Sequence, residues 1–185
     1  MTTMSTLMVA LLATLPLAAP AATLMDARWA GAACEQWNRT PELLDGLADK
    51  WVRNDGGKGY KVIHLYRSEC GDASQVELRV ALKDGKAQCV YGGKVENTKL
   101  DTGVDYTMHA KTAYWIEMGR GDYGPMRAMM FGALKFDGPK LEAMSVMGPF
   151  EAFLLLVGKV PGETASCPGK LAVARTDEGR VRIGA

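Results

Sequence analysis

Histidine is scarce in this chain: the only two, His64 and His109, fall on different strand-like segments, and neither has a second ligand at H-x-x-x-H or Glu-x-x-His spacing. That spacing argues against a metal centre, and both are read as surface or internally satisfied strand positions. No G-x-S-x-G nucleophile elbow is present to support a hydrolase. No C-x-x-C pair occurs, so redox and zinc motifs find no footing. Net charge is nearly absent as well, 22 basic residues against 21 acidic giving +1, which removes the electrostatic footprint of nucleic-acid or anionic-membrane binding. There is no internal repeat and no low-complexity segment. With 185 residues, 48% hydrophobic and 23% charged, the composition excludes disorder and collagen-like repeats and describes one globular domain with a substantial core.

A long hydrophobic run is also missing. Leu7 to Leu17 is an apolar stretch of 11 residues, short of the ~20 that a membrane-spanning helix needs. Pro16 lies near its end, Pro20 and a small-residue cluster follow it, and Ala19-Pro20-Ala21 supplies an A-x-A cleavage site. Residues 1–22 are therefore read as a secretory signal peptide cleaved near Ala21 or Ala22, although the segment before the apolar run has no Lys or Arg. A membrane-anchored segment is the competing reading. A lipidated Cys34 fits less well, since Asp26 and Arg28 separate it from the apolar run.

Cys34, Cys70, Cys89 and Cys167 all follow the cleavage point, and in an oxidising compartment they imply two structural disulfides. Four cysteines allow three pairings. Cys70 with Cys89 is favoured, because both fall in adjacent strand-like segments, which leaves Cys34 to tie the helical start of the domain to the C-terminal tail at Cys167. Periplasmic or secreted localisation follows.

Thr40-Pro41 reads as an N-cap and first helical position, with Leu43, Leu44, Leu47 and Trp51 at helical spacing up to Asn54-Asp55-Gly56-Gly57. From Tyr60 the period becomes two, through Val62, His64 and Tyr66 and then Val76, Leu78, Val80 and Leu82. The Asp84-Gly85 turn leads to a third strand through Ala87, Cys89 and Tyr91, and a fourth runs around Tyr106, Met108 and Ala110. Helices over 112–118 and 125–131, a short strand over 133–136 and an amphipathic stretch over 139–157, broken at Gly148-Pro149, complete the domain. A tail over 161–185 is irregular, with a small hairpin around Asp177-Glu178-Gly179. Strands grouped apart from helices give an α+β fold: an antiparallel sheet with helices on one face, within a domain over 23–160.

Methionine is the local excess. Met118, Met126, Met129, Met130, Met144 and Met147 crowd the helical second half beside Trp115, Phe131, Phe150 and Phe153. A methionine core is the plain explanation; flexible thioethers specify a unique packing poorly and suit adaptable apolar surfaces, which favours a cavity. Gly119-Arg120-Gly121-Asp122-Tyr123-Gly124 satisfies G-x-G-x-x-G literally, but it follows a helix and lacks a βαβ context, so it is read as a helix-to-helix turn. Asn38-Arg39-Thr40 is a formal glycosylation sequon. Asp105, His109 and Glu117 are the nearest titratable group for a small hydrolase.

The segments Trp115-Ile116, Met129-Met130-Phe131-Gly132-Ala133, Leu134-Lys135-Phe136-Asp137-Gly138 and Leu141-Glu142-Ala143-Met144 resemble the sterol carrier protein 2 (SCP2) family, and the element order agrees from about Pro41 to Val157. The resemblance implies a five-stranded sheet covered by helices around an apolar tunnel for sterols, fatty acyl chains or other lipids. It makes the chain a non-catalytic lipid carrier without cofactor, metal or nucleic-acid partner. Trp115, Ile116, Met126, Met129, Met130, Phe131, Met144, Met147, Phe150 and Phe153 are the expected ligand-lining residues, with the apolar sheet face as the other wall. Transient membrane or membrane-protein contact accompanies this reading; its alternative is an interaction module docking a membrane protein or enzyme through the Met-rich face. Three departures stand out: Pro139 where an acidic residue commonly follows the glycine, no Ser-Lys-Leu at the C-terminus, and a secretory signal with four cysteines, which describes an extracytoplasmic version.

Overall fold

The computed structural model describes residues 22–169. The expected signal peptide, apart from Ala22, and the expected hairpin at Asp177-Glu178-Gly179 lie outside these residues. The described chain begins with Ala22 to Leu24 held against the later chain: Glu163 donates its amide to the Ala22 carbonyl at 2.8 Å, and Leu24 donates to the Glu163 carbonyl at 2.8 Å.

A helix the periodicity did not reveal comes first, α1 (Ala27–Trp37), capped by Asp26, whose carboxylate accepts from the Trp29 amide at 2.7 Å. Its sequence is alanine-rich, which suits a helix but blurs the apolar stripe. The next helical stretch is split into α2 (Pro41–Leu44) and α3 (Lys50–Arg53). Thr40 does not cap α2; its hydroxyl donates back to the Gln36 carbonyl at 2.9 Å.

Strands β1 (Lys61–Arg67), β2 (Val76–Lys83), β3 (Lys86–Lys94) and β4 (Tyr106–Ala110) fall where the two-residue period places them. Helices α4 (Thr112–Arg120) and α5 (Pro125–Met130), strand β5 (Lys135–Asp137), and helices α6 (Lys140–Ser145), α7 (Met147–Leu154) and α8 (Leu156–Lys159) complete the order. The last helical stretch does not break at Gly148-Pro149. It breaks at Val146 and Leu155, and Pro149 sits in the first turn of α7, where a missing N–H costs nothing. Gly121, with φ 78°, ends α4, and Gly124 caps α5, so the G-x-G-x-x-G segment is the turn between two helices.

The sheet order is β3-β2-β1-β4-β5, and the sheet is mixed rather than antiparallel. β1–β2, β2–β3 and β4–β5 are antiparallel, but β4 lies parallel to β1, with Ile63 opposite Tyr106 and Leu65 opposite Met108. Residues 95–105 carry the chain from the β3 edge across to the far side of β1. A connection of that length makes a crossover, which two-residue hairpin logic does not detect.

One sheet face, with Ile63, Leu65, Leu78, Val80, Tyr106 and Met108, joins the helices in a single core. Of the residues of opposite parity, Glu77 and Arg79 meet the 96–97 segment through polar contacts, and His64 pairs with Glu77. The disulfides are Cys34–Cys89 and Cys70–Cys167, which overturns the expected pairing. α1 packs on β3 and brings Cys34 onto Cys89, while Cys70, in a short turn after β1, meets the tail. Arg67, fully committed beside it, donates to the Thr164 and Ser166 carbonyls at 2.7 Å each. Among the described residues no helix is long and apolar enough to cross a membrane.

Candidate functional site

Six aromatic side chains from five elements meet between the sheet and the helices. Trp37 ends α1, Trp51 lies in α3, Tyr106 opens β4, Phe136 is central in β5, and Phe150 and Phe153 stand on α7. Their centroids follow one another at 6.3 Å, 5.9 Å, 5.4 Å, 5.8 Å and 6.3 Å from Trp37 to Phe153, and 6.0 Å closes the circuit back to Trp37. All six border an apolar cavity of about 30 Å³, floored by Ile63 and Met108 and walled by Ala143 and Val146 on the α6 side. Such a space admits water-sized contents and no more, against the ~300 Å³ or greater of ligand-filled sites.

One edge of the ring is polar. Trp51 Nε1 donates to the Tyr106 hydroxyl at 3.1 Å, and that hydroxyl donates to Glu142. Lys61 Nζ lies 2.6 Å from Glu142 Oε2, and Asn54 donates to the other Glu142 oxygen at 2.8 Å. The Lys61 side chain is 0% exposed, its ammonium 4.8 Å from the Trp51 ring centroid and 5.1 Å from that of Tyr106. Burial holds the Lys61 pKa below the usual lysine value, with Glu142 opposing the shift. Burial, reinforced by the Glu142 hydrogen bond and charge, pushes the Tyr106 phenol well above its ordinary range. Asp105, also buried, is fully engaged elsewhere: it accepts from the Val62 amide at 3.0 Å and the Asp101 amide at 2.9 Å, and it pairs with Lys58.

On the outer side of Phe136 an open groove of about 450 Å³ is bordered by Met126, Met129, Met130 and Met144, with Lys135 and Lys140 at its rim. Phe136, half-buried, borders both spaces. Gly138 helps to set this arrangement: a Cβ there, at φ 136°, would stand 2.7 Å from the Tyr106 ring.

The expected ligand-lining residues therefore divide. Phe150 and Phe153 border the inner cavity, while Met126, Met129, Met130 and Met144 border the groove. Phe131 borders a separate surface cleft with Tyr123 and Arg127. Trp115 is buried in the core, its Nε1 donating to the Tyr66 carbonyl at 3.1 Å; Ile116 is exposed, and Met147 packs half-buried on the core. The hydrolase candidates join different partners. His109 stacks on Tyr66 at 4.5 Å with its Nδ1 2.9 Å from the Ser68 hydroxyl, Glu117 accepts from Tyr123 at 2.9 Å, and Asp105 serves the β1 end. Burial lowers the His109 pKa. His64 is a satisfied strand position, its Nε2 3.2 Å from Glu77 Oε2.

Sequence reasoning placed no ligand contact at Trp37, Trp51, Tyr106 or Phe136. Trp51 ends the Leu43-Leu47-Trp51 stripe and Tyr106 alternates with Met108, so both were legible as core. Their convergence depends on the β1–β4 crossover, which was not.

An α+β domain whose sheet face and helices close over an aromatic-lined apolar space is the class that fold and site define. The model of the SCP-2 sterol transfer family matches residues 41–151, more than half of the chain, and the chain belongs to that family. Among solved structures, a conserved hypothetical protein of Thermus thermophilus, described as possibly a sterol carrier protein, is 19% identical with a TM-score of 0.48, over 80% of this chain and 99% of the other. A crystal structure of sterol carrier protein 2 is 19% identical with a TM-score of 0.46, over 75% and 99%. Sterol carrier protein 2 from Yarrowia lipolytica in its apo form is also 19% identical, with a TM-score of 0.33 over 64% and 88%. No curated protein matches the chain.

Proposed function

We propose that this protein is an exported, non-catalytic carrier that binds an apolar lipid between its sheet and helices and transfers it outside the cytoplasm. The observation that carries the reading is the closed circuit of aromatic rings around an apolar space, which shares Phe136 with a methionine-bordered groove. Burial supplies the affinity: each methylene removed from water contributes ~0.8 kcal/mol, so an acyl chain needs few dedicated contacts. The small interior volume describes a closed state, and thioether flexibility together with the slender α6 provides the means of expansion. Membership of a sterol transfer family supports the lipid class. The signal-like residues 1–22 and two disulfides support periplasmic or secreted residence.

Exposed apolar side chains on α5, just after it and on α6 favour a second reading. Met130, Phe131 and Leu141 are 71%, 75% and 83% exposed, which suits a face that docks a membrane protein or enzyme. Native mass spectrometry of the mature exported protein, with extraction of anything bound, separates the two. A stoichiometric lipid is expected. A protein that carries none, and takes up neither sterol nor fatty acid after delipidation, would leave the docking face as the better account.

A further inference from the structure

The carrier reading makes no use of a cleft on the outside of the helical layer. It lies between α4 and α5, has a volume of about 220 Å³, and shares no lining residue with the interior cavity or the methionine groove. Tyr114 and Glu117 stand about one turn apart on α4, Tyr123 lies in the turn that follows, Arg127 is on α5, and Phe131 comes directly after α5. All five border the cleft, so three aromatic rings, one carboxylate and one guanidinium face the same space.

The two charges share the cleft without pairing. Glu117 accepts from the Tyr123 hydroxyl at 2.9 Å, and among the described residues no cation stands at ion-pair distance from it. Arg120, on the same helix, is taken by Asp122 at 2.6 Å. Burial, reinforced by the Glu117 hydrogen bond and charge, pushes the Tyr123 phenol up to about 12, so it stays protonated and keeps donating to Glu117. Arg127 lies over the Tyr123 ring at 5.6 Å and the Phe131 ring at 6.0 Å, and among the described residues its N–H donors meet no carboxylate or carbonyl. A planar guanidinium held by its faces keeps its in-plane fork free for a bidentate oxyanion. A carboxylate between tyrosine rings suits an ammonium, above all a quaternary one.

We propose that the α4–α5 cleft is a receptor for a phosphocholine group, with the phosphate on Arg127 and the trimethylammonium against Glu117, Tyr114 and Tyr123. A lone anion would meet repulsion from Glu117 and a lone cation from Arg127, so the ligand carries both charges a short linker apart. The volume falls below the ~300 Å³ at which sites take whole drug-sized molecules, which suits a head group. A bilayer is the source that the surroundings favour. Phe131, at the cleft, is 75% exposed and follows Met130, 71% exposed at the groove, so a membrane that receives both side chains presents its head groups to the cleft. The assignment holds whatever the interior carries, and it stands or falls apart from the carrier reading.

The test is titration of phosphocholine into nitrogen-15-labelled full-length mature protein, followed by NMR chemical shifts. Saturable shifts should be confined to residues 112–133 and include the Arg127 side-chain N–H. Choline and inorganic phosphate, added separately, should each bind roughly tenfold more weakly, the scale for one lost charge-assisted contact. Arg127→Gln should weaken phosphocholine to the level of choline, and Glu117→Gln should weaken it to the level of phosphate. Because the wild-type ratios of the three probes need no variant, poor folding of either variant would not spare the proposal. Co-sedimentation with phosphatidylcholine vesicles identifies the source: pelleting that free phosphocholine reverses assigns the site to the bilayer, whereas saturable shifts without pelleting assign it to the free ligand. No saturating shift with phosphocholine, shifts centred outside 112–133, or equal affinity for phosphate alone would overturn the assignment. None of these results touches the carrier reading, which is decided by lipid in the interior.

Discussion

Glu77 shows how a single residue can govern acid stability. It lies on β2 with no side-chain exposure, and accepts from the Glu96 amide at 3.0 Å, the Asn97 amide at 2.8 Å, the Asn97 side chain at 2.6 Å and Arg79 Nε at 2.5 Å. Burial alone would raise its pKa, but these donors more than offset burial and hold it at about 2. A carboxylate depressed in the folded state adds stability that is complete above its unfolded value near 4.5 and is lost as pH falls toward 2. Wild type should therefore lose about 3 kcal/mol across that window from this group. Glu77→Gln should show a shallower pH dependence there and cost about 3 kcal/mol at pH 7, read from urea midpoints at pH 7 and pH 3. An unchanged slope in the variant would show that Glu77 is not the titrating group. Alternation with Val76 and Leu78 put Glu77 on the far face in the sequence. It did not reveal that the 96–97 segment covers that face, because loops carry no period.

At the scale of elements, the packing of α1 on β3 depends on Gly92. A Cβ there would run into the Ala30 carbonyl and stand 2.7 Å from Cys34 Cβ, so the helix lies directly on the strand backbone. Gly92→Val should cost about 2–3 kcal/mol through overpacking, lowering the urea midpoint without changing the m-value. A midpoint equal to wild type would mean that α1 shifts freely. The same interface explains what the sequence concealed. The hairpin at Asp84-Gly85 was legible because both residues take positive φ in a two-residue turn. The cysteine pairing was not, since Cys34 meets Cys89 only once α1 is recognised and docked. The sequence reading gathered the methionines, Phe150 and Phe153 around one cavity; in the structure Met126, Met129, Met130 and Met144 border the open groove, and Phe150 and Phe153, on one helical stripe, border the inner space. The other four rings arrive from separate elements, and no local pattern relates them.

For the whole molecule, the disulfides connect fold to compartment. Cys34–Cys89 spans 55 residues and holds α1, with Trp37 in the ring, against β3. Cys70–Cys167 spans 97 and fastens the tail that Arg67 also grips. Each bridge contributes about 2–4 kcal/mol by restricting the unfolded chain. Losing both removes about 4–8 kcal/mol, a large share of the 5–15 kcal/mol by which domains are ordinarily stable. Full reduction should accordingly lower Tm by about 10–30 °C in a calorimetric scan with and without reductant. The two bridges should also separate in effect. Replacing Cys34 and Cys89 by alanine should loosen the ring wall and weaken lipid binding as well as stability. The same change at Cys70 and Cys167 should lower stability while leaving affinity close to wild type. A reduced protein with the Tm of the oxidised one would show that the bridges add nothing to folding, and the proposed export would lose the support of the cysteines. A large drop would mean that the chain reaches its working stability only in an oxidising compartment, which the expected signal peptide would supply.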